Sequence, residues 1–76
     1  MYNDDPWDKL RATVNTAEQA LMNSPIYDME FIKYRGLLDY LIPELRRTAT
    51  PMANVLLVRC ENLRKKADSR AESEGK

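Results

Sequence analysis

The sequence predicts an all-α protein, a helical hairpin plus a third amphipathic helix, closed as a three-helix bundle or as an intertwined helical oligomer. Three observations carry that prediction. Apolar residues recur at alternating spacings of three and four along most of the 76 residues, the period of one helix face. Proline follows a capping residue at Asp5-Pro6 and again at Thr50-Pro51, a pairing that opens helices. The single β-branched cluster, Val55 to Val58, lies inside a helical pattern with its own cap, so no strand is expected.

The first helix is expected over residues 6–23. Asp5 supplies a cap, Pro6 the first helical position and Asp8 an acid in the first turn. Trp7, Leu10, Val14, Ala17 and Leu21 line one face, leaving Asp8, Lys9, Thr16 and Gln19 to water. Trp7 reads either as the first core residue of that stripe or, with Tyr2 and Tyr27, as an aromatic contact for a partner. Asn23, Ser24 and Pro25 end the helix, because the residue before proline is pushed out of helical geometry.

The second helix is expected over residues 29–47, with Asp28 as its cap and Ser24-Pro25 as an earlier alternative start. Phe31, Tyr34, Leu38, Leu41 and Leu45 form its core face, flanked by Leu37 and Ile42. At about 100° per residue, Met29, Ile32, Gly36, Tyr40 and Pro43 fall on the opposite side, also largely uncharged. Glycine costs a helix about 1 kcal/mol and interior proline about 3 kcal/mol relative to alanine. Gly36 is therefore expected to mark a close approach by another helix, and Pro43 a bend or break.

The third helix is expected over residues 51–71, capped by Thr50, with Met52, Leu56, Cys60, Leu63 and Ala67 as its buried line. Val55, Leu57 and Val58 lie off that line, so its start is apolar nearly all round and needs cover on several sides. Residues 1–71 form one helical domain in this reading, joined between helices one and two by a short link from Asn23 to Tyr27, and residues 72–76 fray.

Composition narrows the chemistry. There is no histidine, one cysteine and two glycines, so catalytic bases, metal clusters, an intrachain disulfide and glycine-rich phosphate loops lack their residues. No enzyme, metal or cofactor is expected. Cys60, on a buried line, reads as a small core hydrophobe rather than a reactive thiol, despite Arg59 and Arg64 nearby. The longest wholly apolar run is Val55 to Val58 and the opening is acidic, so neither a membrane span nor a signal peptide is expected. A domain this small is only marginally stable alone and gains most from a partner subunit. A homo-oligomer is the expected state.

The net charge is zero, yet residues 1–30 carry six acids against two basic residues, leaving −4 in front and +4 behind. Arg59, Lys66 and Arg70 fall along one edge of the third helix, with Arg46 and Arg47 just before it. Together they could contact an acidic partner or track nucleic-acid phosphates. Interleaved Glu61, Asp68, Glu72 and Glu74 argue against this, and Arg46 and Arg47 also suit the negative end of helix two. A helix-turn-helix regulator fits poorly, because MANVLLV would be the start of its recognition helix where polar residues must meet base edges.

Trp7, Lys9, Leu10, Ala20, Leu21, Asp28, Glu30, Ile32, Arg35, Gly36, Leu38, Leu41 and Pro43 form a pattern that resembles small helical proteins of tailed bacteriophages. Those proteins share a Trp-x-Lys-Leu opening and an Arg- or Gln-Gly-x-Leu-x-x-Leu core ending near a proline. The resemblance covers residues 7–43 and does not include the long third helix. It implies an accessory phage protein in the host cytoplasm or the virion, either a small particle component or a binder of a host protein. The interface residues expected on helical grounds are Met29, Ile32, Gly36, Tyr40, Val55 and Val58.

Overall fold

The computed structural model of the chain describes residues 6–75. Three helices, α1 (Pro6–Asn23), α2 (Met29–Thr48) and α3 (Pro51–Glu74), pack against one another as an all-α bundle. The expected cap at Asp5 and the aromatic contact at Tyr2 lie outside the described residues.

Val14, Ala17 and Leu21 of α1 are wholly buried, and Trp7 and Leu10 pack half-buried at the start of the same stripe. On its outer side the hydroxyls of Thr13 and Thr16 donate to the carbonyls of Lys9 and Ala12, each at 3.0 Å. The Ser24 amide donates to the Ala20 carbonyl at 2.9 Å, closing the last turn before Pro25 stops the helix. In the link, Ile26 turns inward against the core and Tyr27 outward.

Asp28 caps α2, its carboxylate accepting from the Glu30 amide at 2.9 Å. Phe31, Leu38, Leu41 and Leu45 are its buried residues. Of the bend or break expected near Pro43, the break does not occur, and α2 continues to Thr48. Losing one helical hydrogen bond and fitting the ring costs about 3 kcal/mol, whereas burying Leu41 and Leu45 beside it contributes about 1.5–3 kcal/mol each. Pro43 and Asp39 are exposed, so water reaches the Asp39 carbonyl that the proline cannot satisfy. The helix ends at Ala49, which adopts left-handed geometry (φ 56°, ψ 30°) and donates its amide to the Leu45 carbonyl at 3.3 Å.

Thr50 caps α3, accepting from the Ala53 amide at 3.2 Å, and Pro51 follows in the first turn. The buried line is Ala53, Leu56, Cys60, Leu63 and Ala67. Met52, expected inside, is 36% exposed, and Ala53 takes the inward place. The two positions lie about equally far to either side of the line through Leu56, Cys60, Leu63 and Ala67, and α3 leaves its connection with Ala53 inward. α3 keeps helical geometry past Ala71 to Glu74, where the Gly75 amide donates to the Ala71 carbonyl at 2.9 Å. It folds back on its own chain, with its most extensive contact on α2.

Candidate interaction surface

The outer side of α2 is apolar where a helix of this kind is ordinarily polar. Met29 is 77% exposed, Tyr40 63% and Ile32 55%, with exposed Gly36 between Ile32 and Tyr40 and exposed Pro43 just beyond. They are about 180° around the helix from Leu38 and Leu45, so the packing that buries the core face turns these residues outward. Within the chain no helix approaches Gly36, where an added Cβ would meet nothing within 4 Å, so the close approach expected from the sequence is not made inside one copy. Val55 and Val58 are also more than half exposed, on the side of α3 turned from its core line.

Beside the α2 stripe runs a shallow groove of about 330 Å³ between α2 and the C-terminal half of α3. Ile26, Ile32, Gly36 and Ala71 supply its apolar lining, and Arg35, Asp39 and Arg64 its charged rim. It stays open because Gly36 and Ala71 contribute little volume. Sequence reasoning did not find the groove, and the signal available was this pair of small residues on two neighbouring helices.

Charged side chains zip the seam under that rim. Arg35 meets Asp68 at 2.7 Å, Arg64 lies 3.3 Å from the other oxygen of Asp68, and Arg64 also pairs closely with Asp39. Arg64 Nε and Asp68 Oδ1 are enclosed and held by charge rather than by aligned hydrogen bonds. Exposed pairs of this kind contribute about 0.2–1 kcal/mol each, and linked ones more dependably than isolated ones.

The basic residues expected to meet phosphates or an acidic partner are mostly engaged within the chain. Arg59 reaches across to α1, donating to Asn15 at 2.8 Å and meeting Glu18 at 3.3 Å. Arg46 pairs with Glu61 at 2.8 Å and Arg47 with Glu44. Arg70 donates to the carbonyls of Leu21 and Ser24 at 2.6 and 2.9 Å, pairs with Glu74, and lies over the Phe31 ring. A cation on the last carbonyls of α1 meets the negative end of that helix, so Arg70 caps it from another element. Lys66 is exposed.

Cys60 is fully buried, and burial pushes its thiol pKa up, with Arg59 partly opposing and Glu61 adding to the rise. Among the described residues no group of three or more His, Cys, Asp or Glu side chains is placed to hold a metal ion, and no helix is long and apolar enough to cross a membrane. Comparison with protein-family profiles, with curated proteins and with solved structures finds no match to this chain.

Proposed function

We propose that this chain is a non-enzymatic helical interaction protein that self-associates through the outer face of α2 and serves a tailed phage as a small virion component or as a binder of a host protein. The supporting observation is the exposed stripe of Met29, Ile32 and Tyr40 opposite a complete core face. The bundle is closed without these residues, so they are available to another surface. Val55 and Val58 form a second apolar site on α3, suited to the other protein. The phage setting comes from the sequence resemblance over residues 7–43.

Fully burying a side chain of this size is worth about 1.5–3 kcal/mol, and about half of each is still exposed in the free chain. Two stripes together only just exceed the lower part of the about 4–15 kcal/mol that association costs, which points to weak, reversible assembly, no tighter than about the submillimolar range. Sedimentation velocity from low micromolar to millimolar concentrations tests this directly. The expected result is a concentration-dependent rise in mass, abolished by Tyr40→Ser with Ile32→Ser. A stable monomer throughout would end the self-association reading.

The alternative, a nucleic-acid-binding regulator using the basic edge of α3, has less behind it. Arg46, Arg47, Arg59 and Arg70 already face carboxylates or carbonyls, and the first turns of α3 expose Met52, Val55 and Val58 rather than polar groups.

A further inference from the structure

The outer face of α2 is self-complementary in one orientation. Taking Met29 as zero and advancing about 100° per residue, Gly36 and Tyr40 straddle the centre line of the face. Ile32 and Pro43 fall on one flank, Lys33 and Glu44 on the other. A two-fold axis midway between Gly36 and Tyr40, normal to the plane of two antiparallel helices, carries each flank onto the same flank of the other copy. Position 36 then faces position 40 of the partner, and the reverse.

Four properties of these positions agree with that register. Space over Gly36 is open to at least 4 Å, and Tyr40 projects from the surface at 63% exposure, so seat and knob are both unoccupied within the chain. On one flank Ile32 meets the partner's Pro43, apolar on apolar. On the other, exposed Lys33, whose Nζ sits 5.3 Å over the Tyr34 ring, meets the partner's Glu44, opposite in charge and shared there with the partner's Arg47. Asp39, nearer the axis on the first flank, is neutralised in its own chain by Arg64. A parallel pair would instead set glycine on glycine, leaving a void, tyrosine on tyrosine, and Arg47 on Arg47.

From this juxtaposition we propose that two copies of the chain pair by laying their α2 helices antiparallel, each Tyr40 ring seated over the partner's Gly36 and each Lys33 beside the partner's Glu44. The proposal rests on the self-association reading and fixes its geometry.

Charge reversal tests it, because the contact is reciprocal. Lys33→Glu alone sets like charges together at both ends of the interface and should weaken the dimer roughly tenfold at low salt. Glu44→Lys alone does the same while also releasing Arg47 of its own chain. An equimolar mixture of the two variants should recover wild-type affinity as a heterodimer, since each supplies the charge the other has lost. Circular dichroism of each variant checks that the helices remain. A wild-type dimer that neither reversal weakens, or that mixing does not restore, overturns this register while leaving self-association in place. A wild-type monomer at all concentrations overturns both.

Discussion

Replacing Gly36 with alanine separates what this residue does in the single chain from what it does between chains. In the single chain the new Cβ would meet no atom within 4 Å, so the substitution adds no clash and buries nothing. What remains is helix propensity, which favours alanine by about 0.8–1 kcal/mol. Over 76 residues the entropy of unfolding is about 0.16 kcal/mol/K near the midpoint, so the gain converts to a rise in Tm of about 5–6 °C. Thermal unfolding followed by circular dichroism at low micromolar concentration, where the monomer dominates, measures it. At concentrations where the wild-type chain assembles, its own Tm climbs by mass action, and a Cβ under the partner's Tyr40 should narrow the difference. Gly36→Leu, which fills the seat, should remove the concentration dependence altogether. A Gly36→Ala chain that is less stable as a monomer would refute the premise that the space above Gly36 is empty within one chain.

Ala49→Gly should also stabilise, since left-handed geometry costs an alanine about 1–2 kcal/mol and the added freedom of glycine in the unfolded chain returns about half of that; urea unfolding should show a net gain of about 0.5–1 kcal/mol. Cys60 should react slowly with a thiol reagent at neutral pH, at a rate that rises sharply in urea as the domain opens, because burial both shields the sulfur and raises its pKa; prompt stoichiometric labelling of the native chain would contradict this. The Glu74 carboxyl is held below its ordinary pKa, chiefly by the hydrogen bond from Arg70. Its contribution is therefore complete above the ordinary carboxylate pKa and disappears as pH falls through the lower folded value, and carboxyl NMR titration should show its midpoint rising toward the ordinary range in Arg70→Gln.

Helix faces were legible because the 3.6-residue period leaves an unmistakable trace when one side is buried: Val14, Ala17 and Leu21, or Leu56, Cys60, Leu63 and Ala67, follow from spacing alone. Asp28 and Thr50 were legible for a related reason, as short polar side chains placed where unpaired amides begin. Features that depend on two helices at once were not. Nothing local marks Ala49 as left-handed, because glycine or asparagine is the usual signal and the tight turn alone imposes the geometry. Met52 and Ala53 fit the period equally well, so spacing alone does not choose between them. Arg70 looked like part of a basic edge until its guanidinium was placed on carbonyls 46 and 49 residues earlier in the chain. Pro43 failed as a breaker because its local penalty is smaller than the burial on either side of it.

The two-residue connection at Ala49 and Thr50 also bears on the order in which the domain assembles. It lets α3 reach α2 through pairs only 15 residues apart, such as Arg46 with Glu61, whereas α1 reaches α3 through Arg59 and Glu18, 41 residues apart. Closing the longer loop costs more chain entropy, and the contact of α2 with α3 is more extensive than its contact with α1, so the α2–α3 pair is the natural nucleus and α1 docks onto it afterwards. The first helix is then also the one that detaches at the lowest free energy in native-state hydrogen exchange. The helix with the Trp-x-Lys-Leu opening would come free while the α2 stripe stayed mounted on α3.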